Sequence, residues 1–213
     1  CFECKSTLGW FENLPVLSFL LQKGRCRTCH ASLPRLYPVL ELSMAALFIA
    51  PFLLFHSWLQ IITWIAFSVL GLPLAVIDVR HHRLPDTLTR ALLILVILIA
   101  ALYSWINHDF TRLWPATIGL FSLTIFYLTV AVISRGGMGM GDVKLAAPIG
   151  WTSGYFGLNT TLNSSFAAFL MGSLVGVGLM IFGKADRKSA IPFGPFMLAG
   201  QLIGIATISW RLI

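Results

Sequence analysis

The fold class follows from the run LTRALLILVILIAALYSWI, residues 88–106, in which Arg90 is the only charged residue. A helix needs about 20 predominantly apolar residues to cross the hydrocarbon core of a bilayer. Six further runs of this character lie at about 36–56, 58–77, 113–133, 145–160, 165–183 and 193–210. The run at 145–160 is the weakest, because glycines and polar residues interrupt it. The sequence therefore predicts an all-α polytopic membrane protein with about seven transmembrane helices.

The composition of the 213 residues supports the same fold class. Hydrophobic residues make up 57% of the chain, charged residues only 11%, and the mean hydropathy is +0.85. Soluble globular domains carry about 25% charged residues, so the composition excludes a water-soluble enzyme. It also excludes a disordered chain, a collagen and a secreted disulfide scaffold. The net charge of +7 suits either nucleic acid or anionic lipid, and the apolar runs favour the membrane.

The basic residues are distributed unequally across the predicted membrane. With seven spans, thirteen of the fifteen Lys and Arg lie on the side that carries the N-terminal region, and only Arg112 and Arg211 lie opposite. Because cytoplasmic loops are enriched in Lys and Arg, we expect the N-terminal region at the cytoplasmic face.

All four cysteines lie in the first 35 residues, in two C-x-x-C pairs: Cys1 with Cys4, and Cys26 with Cys29. Such pairs can present four thiolates to one tetrahedral zinc ion, and a closed four-sulfur site is structural. A module this small cannot bury enough apolar surface to fold without a metal or cross-links. Two disulfides are the alternative, which the reducing cytoplasm disfavours. We therefore predict a zinc module at 1–35, a transmembrane domain at 36–213, and no nucleic-acid partner.

Two acids stand at the ends of predicted spans on the cytoplasmic side. Asp78 ends the second span and Asp142 opens the fifth, so the two can meet although 64 residues separate them. Two adjacent carboxylates share a proton, and such a pair can activate water and protonate a scissile carbonyl. Gly139 and Gly141 would let the backbone approach a substrate closely. The alternative is that the acids form ion pairs with neighbouring cations: Arg80, Arg83 or Lys144.

Two further acids have structural interpretations. Asp86 follows Pro85 and is interpreted as a helix cap for the third span. Glu41 lies one turn into the first span, where it can cap, pair or line a ligand pocket.

Several motifs, in order and spacing, together resemble the type IV prepilin peptidases, which are polytopic aspartic peptidases of bacterial inner membranes. Besides the cysteine pairs, they are Glu12-Asn-Leu-Pro-Val-Leu-Ser18, Lys23-Gly-Arg-Cys26, Tyr37-Pro-Val-Leu-Glu41, Asp78 with Leu84-Pro-Asp86, Gly139-Met-Gly-Asp142-Val-Lys144 and Ile191-Pro-Phe-Gly-Pro-Phe196. The likeness covers nearly the whole chain.

The resemblance implies an aspartic endopeptidase with Asp78 and Asp142 as its catalytic pair. Gly139, Gly141 and Lys144 would support the second motif. The substrates would be prepilins and the pseudopilins of type II secretion, cut after a glycine between a basic leader and an apolar helix. The cysteine module and the active site would lie at the cytoplasmic face of the inner membrane.

The resemblance also implies N-methylation of the new N-terminal residue with S-adenosylmethionine, and it associates Gly24 and Arg25 with that cofactor. A peptidase without methyltransferase activity is the alternative. Relatives carry a span before the cysteine module, so we expect an additional N-terminal helix that is missing here. Two rival functions are an intramembrane aspartic protease that cuts within helices and a metal transporter with a zinc-sensing domain. The cysteine spacing opposes the first, and the scarcity of polar residues deep in the spans opposes the second.

Overall fold

A computed structural model of the protein describes residues 3–7, 9–134, 138–183 and 191–209. Within these residues the regular structure is helical, and one isolated antiparallel bridge joins Arg25 to Ser32. A short 3-10 helix at Trp10–Asn13 precedes eight α-helices: α1 Leu17–Leu21, α2 Leu36–Leu54, α3 Trp58–His81, α4 Asp86–Ile106, α5 Leu113–Ile133, α6 Met140–Phe156, α7 Leu158–Ile181 and α8 Gly194–Ser209. The predicted all-α class is confirmed.

Among the residues that the structure describes, five helices are long and apolar enough to cross a bilayer: α2, α3, α4, α5 and α7. The helices α6 and α8 are shorter, with 17 and 16 residues. The chain is therefore a multi-pass membrane protein, and the number of seven crossings stays a prediction.

The chain divides into two compact units, Cys1–Ala50 and Pro51–Ile213. In the first unit the residues around the second cysteine pair form a tight turn. The Cys26 amide donates to the Ala31 carbonyl at 2.8 Å, and the Leu33 amide donates to the Gly24 carbonyl at 2.8 Å. The predicted domain boundary after residue 35 stays a prediction.

The helix α6 forms the centre of the second unit, where it packs against α4, α5, α7 and α8. Eleven of its 17 residues are buried. Its glycines permit this packing, since a Cβ on Gly150 would overlap the carbonyl oxygen of Gly119 in α5. Gly154, one of the glycines that made this segment look like the weakest span, has the same effect, since a Cβ there would lie 2.5 Å from the carbonyl oxygen of Pro115 in α5.

The boundary between α6 and α7 differs from the expected one. The sequence predicted spans at 145–160 and 165–183, whereas α6 ends at Phe156 and α7 begins at Leu158. Gly157, with φ at 117°, makes the break. The first turns of α7 contain polar residues, so their hydropathy is low. They nevertheless pack on α8, where the side-chain amide of Asn163 donates a hydrogen bond of 3.1 Å to the hydroxyl of Thr207.

Candidate functional site

A cavity of about 430 Å³ contains both predicted catalytic acids. Its walls come from the last turn of α3, the first turns of α4 and α6, and the segment before α8. Asp78 and Asp142 both line it, and their carboxylates are near enough to interact electrostatically. The fold therefore brings together two acids that are 64 residues apart in the sequence.

Asp78 is held by the first residue of α8. Its side chain is buried with 5% exposure, and its Oδ2 accepts a hydrogen bond of 3.0 Å from the backbone N–H of Gly194. A Cβ at position 194 would lie 2.7 Å from that oxygen, so this position requires glycine. The unpaired amides at a helix N-terminus are suited to bind a carboxylate. The amide of Gly194 therefore fixes the orientation of Asp78.

Asp142 is the third residue of α6 and is 7% exposed. Its amide donates to the carbonyl of the N-cap residue Gly139 at 3.1 Å. A Cβ on Gly141 would lie 2.9 Å from the Cβ of Leu84. Because Gly141 has no side chain, the second aspartate motif can pack directly against Leu84, in the segment that follows Asp78. The idea that both glycines face a substrate stays a prediction, and both line the cavity.

Asp86 and Lys144 form an ion pair at this cavity. Lys144 Nζ lies 2.7 and 2.8 Å from the two carboxylate oxygens of Asp86, and both side chains are about half exposed. Asp86 is the first residue of α4 rather than its N-cap, which is Pro85, so its interpretation as a helix cap is wrong. An exposed ion pair of this kind contributes little to stability. Its structural effect is to join the starts of α4 and α6 beside the two acids.

Aromatic residues behind the cavity were not identified from the sequence. Tyr127 of α5 is 1% exposed and stacks on Phe169 with 5.8 Å between ring centroids. Phe193, which lines the cavity, lies 5.2 Å from Phe169. Tyr127 is near enough to Asp142 to interact electrostatically. No pattern marked Tyr127, because α5 is apolar on all sides.

Three of the four predicted zinc ligands come together in the first unit. The sulfur atoms of Cys4, Cys26 and Cys29 lie within 4.8 Å of one another, and those of Cys4 and Cys26 are 4.0 Å apart. A tetrahedral zinc site with Zn–S bonds of about 2.3 Å places its sulfurs about 3.8 Å apart, whereas a disulfide needs about 2.05 Å. The cluster therefore fits a metal ion. Cys1 lies outside the described residues.

The surroundings of Cys4 favour its thiolate, which is the form that binds metals. Hydrogen bonding with the Ser6 hydroxyl, 3.0 Å away, and with the Ser6 backbone lowers the pKa of Cys4 to about 7. Because metals bind thiolates rather than thiols, this environment favours coordination.

Gly24 and Arg25, which the resemblance associates with the cofactor, immediately precede Cys26 of this cluster. Gly24 has φ of +69°, and a Cβ there would lie 3.1 Å from the ring of Phe19. Arg25 lines a cavity of about 800 Å³. Glu41 lines a second cavity of about 340 Å³ and accepts a hydrogen bond of 2.7 Å from the amide of Val16. Glu41 therefore both pairs with a backbone amide and lines a pocket, which are two of the roles expected for it from the sequence.

Comparison with known proteins gives two family matches. The type IV leader peptidase family matches residues 64–181, and the bacterial peptidase A24 N-terminal domain matches residues 1–55. No solved structure matches the chain significantly.

Several curated relatives named prepilin leader peptidase/N-methyltransferase align with nearly the whole chain. The Bacillus subtilis protein is 32% identical over 205 residues, which are 95% of this chain and 79% of the relative. The Dichelobacter nodosus protein is 35% identical over 206 residues, covering 95% and 68%. The Pseudomonas aeruginosa protein is 32% identical over 209 residues, covering 95% and 69%. The chain is therefore a membrane peptidase, and it belongs to the type IV leader peptidase family.

Proposed function

We propose that this peptidase removes the basic leader from prepilins and pseudopilins, and that it cuts after a glycine at the cytoplasmic edge of the inner membrane. Asp78 and Asp142 are proposed as its catalytic pair. The observation that supports this most strongly is their position: two buried carboxylates from separate motifs line one cavity. Buried acids in membrane helices are costly and are usually functional.

The pair can hydrolyse a peptide bond without a covalent intermediate. One carboxylate removes a proton from a water molecule, whose oxygen attacks the carbonyl carbon. The protonated carboxylic acid donates its proton to the carbonyl oxygen. When the tetrahedral intermediate collapses, the carbon–nitrogen bond breaks, the first carboxyl gives the proton taken from water to the leaving amine, and a hydroxyl proton of the intermediate returns to the second carboxylate. The Gly194 amide contributes by holding Asp78 in one orientation throughout.

The test is cleavage of a prepilin by the purified protein in detergent, followed by mass spectrometry of both products. We expect two fragments whose masses place the cut after the last glycine of the leader. Cleavage within the apolar helix would support the rival intramembrane protease, and an intact substrate would contradict the proposal.

We further propose that the protein methylates the new N-terminal amine with S-adenosylmethionine. The support is the name that the curated relatives share, together with two cavities in the N-terminal unit. Transfer of labelled methyl groups from S-adenosylmethionine to the cleaved pilin tests this. Cleavage without labelling would leave a peptidase only.

We propose that Cys1, Cys4, Cys26 and Cys29 hold one structural zinc ion. We expect about one zinc per chain by elemental analysis. Cys26→Ser should lower the zinc content at least severalfold and make the N-terminal unit sensitive to protease, because a missing ligand opens the closed site.

The control for the zinc experiment is His30→Asn. His30 follows the second cysteine pair but lies outside the described cluster, and its φ of 58° suits asparagine. This variant should keep its zinc. Equal zinc loss in both variants would contradict the four-cysteine site.

A further inference from the structure

The two cavities of the N-terminal unit differ in charge. The basic cavity, of about 800 Å³, is lined by four basic side chains, Lys23, Arg25, Arg27 and His30, and by the acid Glu12. The acidic cavity, of about 340 Å³, has no Lys, Arg or His among the described residues that line it. Its walls include Glu3, Glu41, Phe19 and Tyr37. The two cavities share Ser18, Gln22 and Cys26, so they are adjacent.

We propose that the acidic cavity binds the sulfonium end of S-adenosylmethionine, with Glu41 and Tyr37 as its contacts to the positive charge. This inference rests on the proposed methylation. The cofactor is a permanent cation at sulfur, and its methyl group is transferred to the amine while sulfur keeps the electron pair and nitrogen loses a proton. Carboxylates and aromatic faces are the groups that attract such a cation. The volume lies in the usual range for small-molecule sites, about 300–1,000 Å³.

The carboxylate of Glu41 is positioned before any ligand binds. Its Oε2 accepts the 2.7 Å hydrogen bond from the Val16 amide. Val16 has φ of 61° and ψ of −45°, a backbone conformation that a β-branched residue rarely adopts. The hydrogen bond to Glu41 therefore stabilises the unusual backbone conformation at Val16, and it also holds the carboxylate of Glu41 at the cavity wall. Strained conformations of this kind are concentrated at functional sites.

The same geometry gives Gly24 a role in methylation without direct contact. A Cβ at Gly24 would lie 3.1 Å from Cζ of Phe19, and Phe19 lines the acidic cavity. Gly24 is therefore a positioning residue that lets the Phe19 ring form the cavity wall. Arg25 lines the basic cavity, whose charge is unsuited to a sulfonium ion.

The experiment measures binding of two ligands to the full-length, zinc-loaded protein in detergent by equilibrium dialysis. S-adenosylmethionine carries the sulfonium charge, whereas S-adenosylhomocysteine has the same body with a neutral thioether. We expect Glu41→Gln to weaken S-adenosylmethionine about tenfold and S-adenosylhomocysteine less than twofold. The amide oxygen of the glutamine can still accept the Val16 N–H, so the loss reports the charge.

Glu12→Gln is the matched control. Glu12 also accepts one backbone N–H, that of Gly9 at 2.7 Å, but it lines the basic cavity. This variant should leave the ratio of the two affinities unchanged. The inference is overturned if Glu12→Gln changes that ratio instead, if Glu41→Gln leaves S-adenosylmethionine binding unchanged, or if it weakens both ligands equally. If the wild-type protein binds neither ligand, the methylation proposal itself fails, and the inference fails with it.

Discussion

Asp78→Asn and Asp142→Asn are each expected to slow prepilin cleavage by about 10³-fold, because either change removes one of the two groups that must exchange protons with the substrate and the water. The two side chains line one cavity and are almost fully buried, and the third acid at this cavity, Asp86, is held in an ion pair by Lys144, so we do not expect it to replace them. Initial rates of leader release, measured at saturating substrate, give the comparison.

These variants should fold. In Asp78→Asn the new side-chain amide oxygen can still accept the hydrogen bond from Gly194, which is the contact that fixes this side chain. Asp109→Asn is the matched control, because among the described hydrogen bonds the Asp109 carboxylate accepts only from Thr111, in an exposed turn. It should cleave at the wild-type rate. Cleavage that survives both active-site substitutions would refute the aspartate pair.

Gly194→Ala is expected to slow cleavage by about 10²-fold without removing any catalytic group. The new methyl group would lie 2.7 Å from Oδ2 of Asp78 and 3.4 Å from Cδ1 of Leu84. The carboxylate must therefore move away from the backbone amide that orients it. Displacements of about 1 Å in a catalytic group typically cost about 10²-fold in rate. The effect should appear in kcat more than in KM, since the substrate surface is unchanged.

Gly178→Ala provides the control for the same substitution in a neighbouring helix. Among the described residues, a Cβ on Gly178 of α7 would meet no atom beyond its own helical turn within 4 Å. This variant should retain the wild-type rate and the wild-type thermal stability in detergent. A rate for Gly194→Ala within about threefold of wild type would show that the carboxylate does not depend on this amide.

The sequence was sufficient to predict the long apolar helices, but not where some of them begin and end. Long apolar runs predict membrane helices because lipid requires every backbone group to be satisfied within the segment. The start of α7 was missed because hydropathy treats Asn163 as unfavourable, whereas the helix pair satisfies it through Thr207. Such compensation depends on contacts between helices, which a single run of residues does not reveal.

The two acids of the candidate site could be identified from the sequence, but the residues that hold and surround them could not. Asp78 and Asp142 stood out because acids in membrane-spanning segments are costly and usually functional. Gly194 was noticed only as part of a resembling motif, since nothing local shows that its amide meets a carboxylate 116 residues earlier. Tyr127 gave no signal, because a buried tyrosine in an apolar helix looks like ordinary core.

The hydrogen bond between Asp78 and Gly194 also has a consequence for how the protein assembles during its synthesis. Asp78 leaves the ribosome 116 residues before the amide that holds it. During synthesis the early helices can enter the bilayer, but the proposed catalytic centre lacks the Gly194 amide until the start of α8 has been made. On the proposed mechanism, a protease that shares a membrane with many other apolar helices acquires its cutting geometry only after α8 has been synthesised.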